Sequence, residues 1–69
     1  MRKYRLCIST AYDENGTPHR CYGVRYGNVA IEDITFSEAR MRALIYDMND
    51  GGLEPVHLHS VVEDFLEMN

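Results

Sequence analysis

Sixty-nine residues make one small domain spanning 1–69, near the lower limit for a self-sufficient core, and a hydrophobic content of 45% is too high for a disordered chain. No apolar run approaches the roughly 20 residues that span a bilayer. The basic start Met1-Arg2-Lys3-Tyr4-Arg5 lacks the apolar stretch of a signal peptide. A cytoplasmic protein with no membrane partner is expected, with Cys7 and Cys21 as free thiols. The net charge of −4 is split: residues 1–26 carry +3, and residues 27–69 carry −7, with Arg40 and Arg42 facing nine acids. Such asymmetry suits either two partner surfaces or two halves that attract each other.

In chain order, Tyr4, Leu6, Ile8 and Tyr12 fall on even positions, with Arg5, Cys7, Ser9 and Ala11 between them, a strand with one buried face. Asp13-Glu14-Asn15-Gly16 is a turn, and a second strand again buries even positions, Tyr22, Val24 and Tyr26. Gly27-Asn28 is a two-residue hairpin signal, after which Val29 and Ile31 continue on odd positions.

These parities fix a register, because directly opposed residues of an antiparallel pair face the same way. A Glu14-Asn15-Gly16 loop with Gly16 left-handed places Leu6 opposite Val24, Ile8 opposite Tyr22, Tyr4 opposite Tyr26 and Arg5 opposite Arg25. The Gly27-Asn28 loop places Tyr26 opposite Val29 and Val24 opposite Ile31. Cys7 then faces Gly23 rather than Cys21, which argues against a disulfide.

Thr35-Phe36-Ser37-Glu38 reads as a capping box that starts a helix over 36–49, with Met41, Leu44, Ile45 and Met48 at helical spacing. Asp50-Gly51-Gly52 stops it. Pro55 suits the first turn of a second helix, whose apolar stripe is Leu58, Val61, Val62 and Phe65. The expected fold is α+β: a three-stranded antiparallel β-meander with two C-terminal helices packed on one face, in the order β-β-β-α-α.

Part of this pattern resembles a known family. Tyr22-Gly23-Val24, Glu32-Asp33-Ile34-Thr35, Ala39, Leu44, Asn49 and the ending Leu53-x-Pro55-x-His57-Leu58-x-x-Val61-Val62-Glu63-Asp64-Phe65-Leu66 resemble a family of small bacterial proteins classed as a domain of unknown function. The resemblance covers the chain from about Tyr22 onward. Ser60 stands where the family pattern has an acid. The resemblance implies a small cytosolic bacterial protein and supplies no catalytic residue, substrate or cofactor.

Candidate chemistry is sparse. His57 and His59 are two apart, so on a helix they point about 200° from each other and do not share a metal. His57 is expected to hydrogen-bond a loop or carbonyl, and His59 to pair with Glu63 one turn on. Glu63, Asp64 and Glu67 belong to the polar side of an amphipathic helix, a solvated face or an acidic contact surface for a basic partner. Cys7 and Cys21 lie on the outer sheet face near Arg5 and Arg25, where cations would lower a thiol pKa. Lys3, Arg5, His19 and Arg25 make that face mildly basic, but the tyrosines fall on the opposite parity, and the acidic second helix would repel phosphate.

No enzyme, cofactor or metal site is expected. The preferred reading is a small protein-interaction or regulatory module, with another protein or a second copy of the chain (a homodimer) as partner. Its contact surface is drawn from Tyr4, Tyr12, Tyr22, Tyr26, His57, Glu63, Asp64 and Glu67. Three rivals are an acidic nucleic-acid-mimic inhibitor of phage type, using Glu54, Glu63, Asp64 and Glu67, a nucleic-acid binder working through the basic sheet face, and a small enzyme, which would need a pocket that two helices on a three-stranded sheet can scarcely enclose.

Overall fold

The computed structural model describes residues 3–68, so Met1 and Arg2 of the basic start lie outside the described residues, as does Asn69. Three strands, β1 (Arg5–Tyr12), β2 (Pro18–Tyr26) and β3 (Val29–Thr35), form an antiparallel sheet with β2 in the centre. Helices α1 (Glu38–Asp50) and α2 (Leu58–Glu67) follow, with a single 3-10 turn, Pro55–His57, leading into α2. The expected α+β order is the one observed. Among the described residues no helix is long and apolar enough to cross a membrane.

The first hairpin has the register that its parities require: Arg5 opposite Arg25, Leu6 opposite Val24, Cys7 opposite Gly23, Ile8 opposite Tyr22. Its turn is organised by Asp13. The Asp13 carboxylate accepts the backbone N–H groups of Asn15 and Thr17, both at 2.9 Å, and Gly16 supplies the left-handed residue at φ +79°. The other Asp13 oxygen lies 3.0 Å from His19 Nε2. That hydrogen bond is the main reason the Asp13 pKa is held below its ordinary value, with the backbone N–H of Thr17 adding to it.

The second hairpin starts as expected, with Tyr26 opposite Val29 and Val24 opposite Ile31, then departs from a regular ladder. The next pair is Tyr22 with Thr35, so Glu32, Asp33 and Ile34 oppose the single residue Gly23. This bulge passes through Asp33 at φ +59°, the one non-glycine among the described residues with a positive φ. It switches the parity of β3 beyond Ile31, so Ile34 enters the core at 7% exposure; Val29, ahead of the bulge at the hairpin end and expected on the buried side, is half exposed.

The bulge needs Gly23. A Cβ there would overlap the carbonyl oxygen of Ile31 and crowd the Glu32 Cα. The β3 backbone therefore lies against the outer face of β2, the face of the odd-numbered residues. This corrects the expectation that the outer face is open at the cysteines: Cys7 and Cys21 are both buried free thiols.

Helix α1 begins two residues later than the capping-box pattern suggests. Ser37 is the N-cap, and its hydroxyl accepts the Arg40 N–H at 3.3 Å. Thr35 instead ends β3, and its hydroxyl accepts the Ser37 N–H at 3.1 Å. Thr35 remains in the sheet because it pairs with Tyr22 across the bulge, and Phe36, expected inside the helix, is left exposed. At the other end Gly52 takes φ +65°, with Leu53 N–H donating to Met48 O and Gly52 N–H to Asn49 O, a Schellman stop.

The core lies between the even face of the sheet and the two helices. Tyr4, Tyr22, Val24 and Ile34 meet Met41, Ile45 and Met48 of α1 and Leu58, Val62 and Phe65 of α2. Asn49 ties the start of the chain to the end of α1: its side chain accepts the Tyr4 N–H at 2.7 Å and donates to the Tyr4 carbonyl at 3.0 Å. The Tyr4 hydroxyl continues to the Leu53 carbonyl at 2.8 Å, which fastens the helix–helix connection to β1.

Candidate interaction surface

Each helix offers two adjacent stripes. On α1, Met41, Ile45 and Met48 point into the core, and the next stripe round, Arg40, Ala43, Leu44 and Asp47, follows an i, i+3, i+4, i+7 spacing. On α2 the corresponding second stripe is Val61, Asp64, Phe65 and Met68, beside the buried Leu58 and Val62. The two second stripes face each other across an open groove of about 380 Å³. A contiguous recess of about 240 Å³ shares Leu44, Asp47 and Val61, and it carries the groove on to Gly51 and Leu53.

The floor is apolar. Leu44 and Val61 are partly buried, Phe65 is 9% exposed, and Met68 at the far end is 78% exposed. The Arg40 guanidinium stacks 4.9 Å above the Phe65 ring, so this cation is held at one end of the groove by an aromatic face. Asp47 and Asp64 occupy the walls as exposed carboxylates, with no ion-pair partner among the described residues.

The residues singled out from the sequence are dispersed. Tyr4 and Tyr22 are 3% and 7% exposed and belong to the core, which removes them from any contact surface. They are buried because α1 lies directly over that end of the sheet. Tyr26 is partly buried, its ring stacked at a tilt on Tyr4 with centroids 5.2 Å apart. Tyr12 alone of the four stands out, 70% exposed beyond the reach of the helices.

His57 and His59 are exposed, and the His57 side chain makes no cap hydrogen bond, contrary to its expected tethering role. The His59–Glu63 pair does not form among the described residues, whose ion pairs include His19–Asp13 and Arg42–Glu38. Glu63 and Glu67 lie on the exposed side of α2, and Asp64 is the one expected residue that reaches the groove. The sequence pattern places Leu44 and Val61 in the apolar stripes of the two helices. Their spacing is that of ordinary core residues, so the local pattern does not separate them from Met41, Ile45 and Val62.

On the outer sheet face, Arg5 and Arg25 are exposed as expected, but the Cys21 thiol is shifted away from activation. The Asp33 carboxylate lies beside Cys21 and accepts the Ser9 hydroxyl at 3.2 Å. Burial pushes the Cys21 pKa up, and the hydrogen bond to Asp33 and its negative charge raise it further. Asp33 is brought there by the bulge. Among the described residues no group of three or more His, Cys, Asp or Glu side chains is arranged to hold a metal ion.

A family model described as a family of unknown function (DUF6514) matches residues 1–68. The match extends over the first hairpin as well as the region from Tyr22 onward in which the sequence pattern showed its resemblance. No curated protein and no solved structure matches the chain.

Proposed function

The chain belongs to the DUF6514 family, whose function is unknown, and we propose that it works as a small non-enzymatic interaction module, with the groove between α1 and α2 as its contact surface. The observation that carries this reading is the apolar floor of Leu44, Val61, Phe65 and Met68, left open in a domain this small. An exposed apolar strip that is walled by charge is the usual form of a protein docking site. The groove contains carboxylates and an arginine held on a ring, with no paired nucleophile and base.

A second reading draws on the exposed carboxylates Asp47, Glu63, Asp64 and Glu67 of the helical layer, which suit a mimic of nucleic acid bound by a basic protein groove. The two readings differ in whether the apolar floor matters.

The test is affinity capture from host lysate with the wild type and with Ala43→Arg. Ala43 is an exposed wall residue, so arginine there obstructs the groove and leaves the core intact; circular dichroism and the unfolding midpoint verify the fold. A stoichiometric protein that survives nuclease and is lost with Ala43→Arg is the expected result. Equal capture by both forms transfers the function to another surface, the acidic mimic included. Capture only of nucleic acid, abolished by nuclease, moves it to the basic sheet face.

A further inference from the structure

We propose that the occupant of this groove is an amphipathic helix of a partner protein, with an apolar stripe of about three turns flanked by lysine or arginine; this rests on the interaction-module reading above and names its partner class. Three observations lead to it. The first is shape. The groove runs along α1 from Arg40 to Gly51, a rise of about 16 Å. That length takes a helix presenting anchors at i, i+3 or i+4, and i+7. Both walls are themselves helices, so a third helix completes a layer of ordinary helix–helix contacts.

The second observation is charge. The walls carry Asp47 and Asp64, and the surrounding helical surface carries Asp50, Glu54, Glu63 and Glu67. Residues 27–69 hold −7 overall. Arg40, the cation at the groove, already stacks on Phe65. Basic residues bordering the partner's stripe reach the two wall carboxylates, and a partner bordered by acids is repelled.

The third consideration weighs against self-association through this face. A two-fold dimer places the same patch on both subunits. Here that brings Asp47, Asp64 and their acidic neighbours of one copy against those of the other. The homodimer is thus disfavoured for this surface by the same charges that recruit a basic partner.

The test uses three synthetic peptides of about 14 residues, long enough to cover the groove as a helix. The first has leucines at i, i+3, i+4 and i+7 flanked by lysines, the second has the same leucines flanked by glutamates, and the third keeps the lysines but replaces the leucines with serines. Each is titrated into the isotope-labelled chain and followed by amide chemical shifts at low and at raised salt. The leucine–lysine peptide is expected to shift Leu44, Asp47, Val61 and Met68 together. Asp47→Asn and Asp64→Asn should each weaken it roughly twofold to fivefold, with less effect at raised salt. Both substitutions are at exposed carboxylates, so the fold is retained.

Equal binding of the glutamate peptide, or of the serine peptide, overturns the proposal, as do shifts confined to the sheet. A concentration-dependent shift of the same groove residues without any peptide identifies a second copy as the occupant and overturns it too. If no peptide binds while Ala43→Arg still abolishes capture of a protein, the groove stands as the interface and the basic-helix class falls. If Ala43→Arg changes nothing either, both readings fall.

Discussion

Asn49 is one residue whose side chain does the work of a strand. It satisfies both backbone groups of Tyr4 just before β1 begins, where no neighbouring strand is available. Asn49→Ala is expected to cost about 1–3 kcal/mol, because the Tyr4 N–H and carbonyl both lose partners at a partly buried site. Urea unfolding measures this, and Asn49→Asp should be no better than partial rescue, since a carboxylate accepts from the N–H but cannot donate to the carbonyl. Gly23 acts through what it lacks: alanine would meet the backbone of Ile31 and Glu32, neither of which is a flexible side chain. Gly23→Ala is expected to destabilise by about 1–3 kcal/mol or more and to displace the amide resonances of Ile31–Asp33. The thiol of Cys21 gives a prediction in pH. Its folded pKa lies above the ordinary 9.0, so the neutral thiol's contribution is complete below that value and disappears as pH rises through the folded pKa. Maleimide labelling of Cys21 at neutral pH should accordingly be slow in the native chain and fast in urea, and rapid native labelling would contradict a buried thiol held neutral beside Asp33.

At the level of elements, the bulge in β3 decides more than any other irregularity. By inserting Glu32, Asp33 and Ile34 opposite Gly23, it brings Ile34 into the core, carries Asp33 to Ser9 and Cys21, and holds Thr35 in the sheet. The start of α1 at Ser37 is a consequence, since a residue engaged in a ladder with Tyr22 cannot also serve as the cap. Helix α2 depends on packing for its place. It is ten residues long, shorter than an isolated helix that is stable in water, and the residue preceding it, His57, makes no side-chain cap. Leu58, Val62 and Phe65 therefore hold it. Leu58→Ala, at 3% exposure, should cost about 2–5 kcal/mol and release α2 from the core. A midpoint in urea that barely moves would show that α2 is not secured by its apolar face.

Across the whole molecule, the helices cover only part of the sheet. The molecule measures 41 × 25 × 19 Å, and Ile8 and Tyr12 on the helix-facing side of β1 are 54% and 70% exposed. The distal half of the first hairpin thus lacks the second layer that stabilises the half containing Tyr4 and Val24. Hydrogen exchange should divide accordingly. Amides of Val24 and Ile45 are expected to exchange only through global unfolding, and those of Ala11–His19 at least tenfold faster through local opening. Uniform protection along the hairpin would mean that its exposed end is as firmly held as the covered one. The same incomplete coverage operates between the helices, where the second stripes of α1 and α2 meet no further layer.

Alternation and turn chemistry determined the strands by themselves. With Gly16 and Gly27 at their turns, the parities of Leu6, Ile8, Tyr22 and Val24 admitted one register, because a slip of a single residue turns every apolar side chain outward. Helix spacing and the glycines at 51 and 52 likewise determined the two helices and the break between them. The bulge was not legible: Glu32-Asp33-Ile34 continues a strand-like run, and only the close approach of the Ile31 carbonyl to Gly23 reveals why it leaves the ladder. From there followed the two things the local pattern assigned differently, the buried cysteines and the later helix start. The groove had to await the tertiary structure for a related reason. Leu44 and Val61 have the spacing of core residues, and whether such a stripe is covered depends on the distance and angle between two helices, which no single helix encodes.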